Sequence, residues 1–446
     1  MKKIWYFLLV IYSFCFASTD SFYFYDSETF QSSVYIETIG DPKKPAVIFV
    51  HGLGDEASSI WKETKESLKD EYFVLIFDLP GFRNSEMSKN LYSPENYARL
   101  INTIARNFVY KPFHLVGHSM GGAISLKYAS MYEETLLSLV LIDAAGILHR
   151  STYSKFLTFN GIDKFFDSQD GIGRLFQSQR VSSFINTITE KIDNKMTLDV
   201  DNILASSHLR SSILRNNTTT ISALALVQTD FSNIVENINT NTLIIWGEDD
   251  SVAPVQTGYV LNKLLPNSKM EIIPQCGHVP IISHKDIYLS LLKTHLQNSE
   301  TYITTKAEIN GLPRIVTVQN ANKEVISGYI KKATITNSNN ILIKDAIIDE
   351  LEIINSNVEI LNSTFSGLER FITQNSTLFI IASDITGNIL VNNSTINIAG
   401  TSFNGETKNI QQGLRTSTII YSLSKHNGQN IHGRFILDNQ DNKILQ

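Results

Sequence analysis

The sequence predicts an α/β fold, a mostly parallel sheet interrupted by a helical insertion, followed by a separate all-β domain. Three observations predict it. Six short runs within residues 46–273 are apolar without alternation, as expected of strands covered on both faces. Helical stretches lie between them, and strand–helix alternation builds a parallel sheet. After about residue 300 the texture changes to an Asn-rich repeat with a period near 20.

The composition sets outer bounds. A chain of 446 residues is long enough for several domains, and 42% hydrophobic residues provide a core. The net charge is −6 and the pI about 6.0, and beyond the Lys2-Lys3 start the paired lysines at 43–44 and 331–332 are too short for the basic patch that nucleic-acid binding needs. Two cysteines exclude a disulfide scaffold and a cysteine-rich zinc module.

Taken in order, Met1-Lys2-Lys3 is a basic start and residues 4–16 are an apolar run broken only by Ser13. With Ala17 after it, this reads as an export signal spanning residues 1–17. The run is shorter than the roughly 20 residues of a membrane span. Cleavage after Ala17 leaves Cys276 as the remaining thiol; an uncleaved segment makes the protein membrane-associated. The expected location is periplasmic or extracellular. Residues 22–39 alternate in short aromatic and β-branched runs, a hairpin. Strands follow at 46–50, 73–77, 113–116, 139–142, 243–246 and 270–273, with helices at 93–107, 121–131 and 285–297.

The alternation pauses over residues 147–236. Helical patches at 174–191, 201–214 and 219–228 predict a helical cap over the carboxyl edge of the sheet. The sheet domain is therefore split into 18–146 and 237–299. The cap aromatics Phe156, Phe159, Phe165, Phe166, Phe176 and Phe184 suit an apolar substrate or, preferably, the cap's own core.

Residues 300–446 carry Asn337-Ser338-Asn339, Asn355-Ser356-Asn357, Asn375-Ser376-Thr377 and Asn393-Ser394-Thr395, spaced by 18, 20 and 18. A second register agrees, with Phe365-Ser366-Gly367, Ile385-Thr386-Gly387 and Phe403-Asn404-Gly405 at 20 and 18. Short apolar strands between polar corners predict a β-solenoid with Asn side chains laddered along a corner. Such coils contact mainly their own neighbours, so this domain is expected to be nearly self-contained.

Gly117-His118-Ser119-Met120-Gly121 is a G-x-S-x-G pentapeptide between the strand at 113–116 and the helix at 121–131. Strand, tight turn and helix are what a nucleophile elbow requires. A serine is inert at its own pKa and needs a base, which needs an orienting acid. The loop Gly247-Glu248-Asp249-Asp250 follows one strand and Gly277-His278 follows the last, in the chain order Ser, acid, His.

Together these motifs resemble a serine hydrolase of the α/β-hydrolase superfamily with an inserted cap, over residues 22–299. His51-Gly52, Asp78-Leu79-Pro80-Gly81, the GHSMG elbow, the WGEDDSVAP loop and the final GHVP match jointly and in order. The resemblance implies Ser119, Asp250 and His278 as the triad, Asp250 being the Asp three residues after the strand-ending Gly. Asp249 is then a cap or surface residue. Asp143 occupies a place that some members use for the acid, and is read here as a solvated strand-end carboxylate. The oxyanion donors are the amides of Leu53 and Met120. His51 becomes loop scaffold and His118 a neighbour beneath the elbow. The segment Gly81-Phe82-Arg83-Asn84-Ser85 departs from the usual glycine-rich form at Arg83.

The expected function is a cofactor-independent carboxylic ester hydrolase of esterase or lipase type, working through an acyl-enzyme on a small-molecule or lipid-like ester. A carbon–carbon hydrolase or perhydrolase would use the same triad. A surface-binding or adhesion protein, meeting a cell-surface or protein partner through the C-terminal domain, is the alternative of another class. A serine nucleophile argues against aspartate-dependent dehalogenases and epoxide hydrolases. No H-E-x-x-H, zinc spacing or Gly-rich phosphate loop occurs, so no metal or cofactor is expected. Cys276 is read as a buried small hydrophobe.

Overall fold

The structure, a computed structural model, describes residues 21–88, 92–148, 218–298, 301–302, 309, 311–366, 370–410, 417–437 and 442–445. The expected export signal, the cap over 149–217 and its six phenylalanines lie outside the described residues.

The first domain is an eight-stranded sheet. Its strands are β1 (Ser21–Ser27), β2 (Ser32–Ile39), β3 (Ala46–Val50), β4 (Phe73–Phe77), β5 (Phe113–His118), β6 (Leu136–Ile142), β7 (Thr242–Gly247) and β8 (Ser268–Ile273). Their order is β1-β2-β4-β3-β5-β6-β7-β8. The hairpin β1–β2 and the pair β2–β4 are antiparallel, and the other pairs are parallel. The reason for the unbroken apolar runs is visible in β3. Ala46, Ile48 and Val50 face one core, while Val47 and Phe49 face the other.

Helices cover both faces: α1 (Lys62–Leu68), α2 (Pro94–Phe108), α3 (Met120–Tyr132), α4 (Thr218–Val227), α5 (Gln256–Leu264), α6 (Pro280–Ser283) and α7 (Lys285–Gln297). Helix α2 starts where Ser93 Oγ accepts the Asn96 N–H at 3.2 Å, with Pro94 in the first turn. It buries Tyr97, Leu100, Ile101 and Ile104 at helical spacing, each worth about 1.5–3 kcal/mol. Of the expected cap, α4 is described; Tyr97 Oη and Ser222 Oγ tie it to α2 at 2.9 Å.

The second domain contains β9 (Arg314–Gln319), β10 (Val325–Thr336), β11 (Ile341–Ile354), β12 (Asn357–Leu361), β13 (Thr364–Phe365), β14 (Phe371–Gln374) and β15 (Thr377–Ile381). It continues with β16 (Asp384–Thr386), β17 (Ile389–Asn392), β18 (Thr395–Ala399), β19 (Ser402–Asn404) and β20 (Thr407–Asn409), and ends with β21 (Ser417–His426), β22 (Gln429–Leu437) and β23 (Asn442–Leu445). The expected solenoid is corrected here. The parallel pairs β12-β15-β18-β21-β19-β16-β13-β11 return to β12, which closes a ring of eight strands into a barrel. The closing strands are the long ones. β11 does not break at its corners and pairs with β12, β13 and β14 along its length, and β21 likewise joins β18 to β19. The repeat survives in the register, for Ile360 pairs with Ile380 and Ile380 with Ile398.

The corners carry the expected Asn ladder. Asn355 Nδ2 donates to Asn337 Oδ1 at 3.1 Å, Asn375 to Asn355 at 3.2 Å and Asn393 to Asn375 at 2.7 Å. All four have φ between 45° and 49°, the left-handed region that Asn tolerates better than other side chains. Behind them Ser338, Ser356 and Ser376 each accept or donate one coil onward, as in Ser338 N to Ser356 Oγ at 3.0 Å.

The domains are not separate bodies. Leu378 and Ile380 point into the barrel core, but Phe379 and Ile381, between and after them on β15, join the core of the first domain. Leu361 and Ala399 do the same from β12 and β18. Polar contacts frame this seam: Lys263 Nζ to Asp384 Oδ1 at 2.8 Å, and Asn430 Nδ2 to Asn233 Oδ1 at 2.9 Å. The self-contained tail expected from its repeat is thus replaced by a docked one.

The ladder gives a direct test. Asn375→Ala loses two amide bonds and puts a Cβ residue in the left-handed region without compensation. It should destabilise the full chain by about 1–3 kcal/mol in denaturant unfolding. Asn375→Gly, free of the backbone penalty, should cost less.

Candidate active site

All the predicted residues follow carboxyl ends of strands, where loops of a parallel sheet converge. Ser119 sits between β5 and α3 with φ 55° and ψ −122°, a strained state for a residue with a Cβ. Its N–H bonds Ile142 O at 2.9 Å, and its carbonyl accepts from Ala145 and Gly122 at 3.1 and 3.0 Å. Glycine is required around it. A Cβ on Gly121 would stand 2.2 Å from Val50 O, and one on Gly52 would stand 2.7 Å from Ser119 Cβ. Met120 opens α3, whose amino end faces the serine and favours an anion there.

A hydrogen-bonded line runs from this serine. Ser119 Oγ lies 2.9 Å from His278 Nε2, and His278 Nδ1 donates to Asp250 Oδ2 at 2.8 Å. Asp250 is fixed in turn, since its Oδ1 accepts the amides of Val252 and Ala253 at 2.8 and 2.9 Å. Ser119, His278 and Asp250 are at most 7% exposed. The structure therefore brings together the three residues singled out from the sequence.

The other nearby histidines are held out of acid–base work. His51 Nδ1 donates to Gly52 O at 2.7 Å and its Nε2 accepts the Leu79 amide at 2.8 Å. Burial pushes it down to about 4. His118 lies beneath the elbow as expected, with Nε2 donating to His278 O at 2.8 Å. Burial, then the neighbouring His278, push it down to about 3. Asp78 braces the loop below: it accepts Ser58 N–H at 2.9 Å and both Asn84 nitrogens at 3.1 Å. The departure at Arg83 is absorbed by backbone, since Arg83 itself takes φ 43°.

Over Ser119 opens a cavity lined, among the described residues, by Gly52, Leu53, Gly54, Glu56, Ala57, Ile60, His118, Ser119, His278 and Val279. The amides of Leu53 and Met120 thus belong to segments on either side of the serine.

Comparison with known proteins identifies the fold. The family model of the alpha/beta hydrolase fold matches residues 45–285, more than half of the chain. The chain belongs to the alpha/beta hydrolase family. It is 29% identical over 257 residues to an uncharacterized hydrolase of Bacillus subtilis (strain 168), covering 55% of this chain and 88% of that one. It is 26% identical to a 2-hydroxy-6-oxononadienedioate/2-hydroxy-6-oxononatrienedioate hydrolase of Comamonas testosteroni, covering 57% and 88%. It is 24% identical to Lipase 3 of Moraxella sp. (strain TA144), covering 56% and 76%.

Two carboxylates of this alpha/beta hydrolase escape sequence reasoning. Asp143, expected to be solvated, is fully buried with φ 44°. Its Oδ1 accepts the Gly247 amide at 2.8 Å, and its carboxyl lies against that of Asp250. One of its carboxyl oxygens lies within 4.8 Å of a ring nitrogen of each of His118 and His278. Both His278 nitrogens are already committed to Ser119 and Asp250, so the cluster is short of ligands for a metal. Burial, then the charge of Asp250 beside it, hold Asp143 well above the usual carboxylate range. Two carboxylates in one dry site do not both ionise easily. Glu56 lines the cavity with a buried, unpartnered Oε2; its position before a short 3-10 turn gave no signal. Cys276 is buried as expected, its thiol pushed up to about 11 by burial.

Asp143 supplies a stability test. A carboxyl raised in the folded state contributes stability below its unfolded pKa that is lost as pH rises through the folded one. Asp143→Asn keeps the Gly247 bond without the charge. Its unfolding free energy relative to wild type should therefore be higher at pH 8 than at pH 4, in paired denaturant titrations.

Proposed function

We propose that this alpha/beta hydrolase cleaves a carboxylic ester through an acyl-enzyme, with Ser119, His278 and Asp250 as its triad. The observation that carries the reading is the buried, continuous hydrogen-bonded line from Ser119 Oγ through His278 to Asp250. Ser119 Oγ attacks the acyl carbon and passes its proton to His278 Nε2. Asp250 holds the Nδ1–H tautomer and faces the imidazolium that forms. The amides of Leu53 and Met120 receive the oxyanion. Collapse of the tetrahedral intermediate expels the alcohol, which takes the proton back from His278. A water deprotonated by His278 then releases the acid.

A carbon–carbon hydrolase on the same triad is the second reading. It is favoured by the similarity to hydrolases of 2-hydroxy-6-oxo compounds alongside lipases. Residues 1–17 are read as an export signal on the strength of their basic start, apolar run and Ala17, which makes the protein periplasmic or extracellular. A partner for the exposed faces of the C-terminal domain fits the same location.

A panel of p-nitrophenyl esters of increasing acyl length tests the reading. Ser119→Ala should abolish turnover and leave the circular dichroism unchanged. Asp250→Asn should lower the rate on the order of 10⁴-fold, by analogy with a triad aspartate made neutral. Asp249→Asn should do little, and a chelator should have no effect. Turnover that survives in Ser119→Ala, or is confined to 2-hydroxy-6-oxo-dienoates, would reject the ester assignment.

A further inference from the structure

The family match ends at residue 285 and so gives no role to the barrel that follows. That barrel docks above all on α5, the helix leaving the Asp250 loop. Gln256, its first residue, gives its Nε2 hydrogens to both oxygens of Glu359, at 3.0 and 3.1 Å. One turn on, Tyr259 Oη accepts from Lys344 Nζ at 3.0 Å, with the ammonium 5.2 Å from the ring centroid. Val260 packs on Gly400, where an added Cβ would stand 2.8 Å from Val260 Cγ1. Lys263 donates to Ser383 O at 2.6 Å and to Asp384 Oδ1 at 2.8 Å. Residues 256, 259, 260 and 263 make one helix face.

The same helix reaches the triad from its other end. Thr257 N–H bonds Pro254 O at 2.8 Å, Trp246 Nε1 donates to Ala253 O at 2.8 Å, and Ala253 and Val252 hold Asp250. The loop is thus strung between β7 and a helix whose outer face rests on the barrel. We propose that the C-terminal domain is a positioning element for catalysis: by seating α5 through Glu359, Lys344 and Asp384, it holds Asp250 in register with His278. This rests on the serine-hydrolase reading above.

Glu359 is the sensitive point of the seat. It is 6% exposed, and burial pushes its carboxyl up to about 7 against the opposing pull of Gln256 and Lys344. Lys344 in turn is shared with Tyr259 and faces Asp345 and Glu248. A protonated carboxyl is cheaper to bury than a charged one. The stability contributed here is complete below the ordinary glutamate value of 4.5, falls as pH rises through about 7, and is flat above.

The test uses full-length Glu359→Ala, Glu359→Gln and Lys263→Met, with kcat and KM for a p-nitrophenyl ester and thermal midpoints between acid and alkaline pH. Glu359→Ala should lower kcat by about 10–100-fold, well below its midpoint temperature, with KM within about 3-fold. Glu359→Gln keeps the shape and the bond to Gln256 without the charge. It should restore kcat and remove the decline of the midpoint across pH 4.5 to 7 expected of wild type. Lys263→Met probes the far end of the seat should Glu359→Ala fail to fold, and should lower kcat by about 3-fold. Variants that shift the midpoint but leave kcat at the wild-type value would overturn the proposal. Turnover indifferent to Ser119→Ala would instead remove the hydrolase reading, while the midpoint comparison still reports on Glu359.

Discussion

The turn from β5 into α3 forces Ser119 into a left-handed backbone conformation, at a cost of about 1–3 kcal/mol. Almost everything else in the site follows from holding it there. The strands flanking β5 must come close enough for Ile142 and Ala145 to bond the serine backbone. The β3 loop must press against the serine from the other side, which is why Gly52 and Gly121 have no room for a Cβ. That pressure brings the Leu53 amide to the cavity. The strained turn lifts Oγ out of the helix and presents it to the loop after β8, where His278 waits at hydrogen-bond distance.

Charge is rationed in the dry space behind Ser119. His51 and His118 spend ring nitrogens on backbone partners and are kept neutral by burial. Burial, then the charge of neighbouring Asp250, hold the Asp143 carboxyl well above the usual carboxylate range. Asp250 receives two backbone amides and the histidine, donors suited to a carboxylate. Asp250 therefore faces His278, and Asp143, at the end of β6, braces Gly247.

How much of this was legible follows from the range of the interactions. The hairpin, six sheet strands and α2, α3 and α7 depend on local periodicity and turn chemistry, and the residues declare them within two positions except at β6, which begins three residues earlier, at Leu136. The line of Ser119, His278 and Asp250 was legible because each member lies in a short motif at a strand end. Asp143 was misread because burial depends on what packs above it, which a strand-end position does not reveal. The repeat gave the strand register and the Asn ladder, but closure depends on β11 and β21 running past their corners, and the period is the same either way. The docking of the barrel had a signal. Leu378-Phe379-Ile380-Ile381 is apolar on both faces, the pattern that marks two-sided burial in the first domain.

Covalent trapping of the nucleophile tests the central claim most directly. A serine-directed fluorophosphonate, followed by proteolysis and peptide mass mapping, should give one adduct, on the peptide carrying Ser119, and none in Ser119→Ala. An adduct on another serine of the native protein, or no adduct at all, would contradict a strained, His278-activated Ser119.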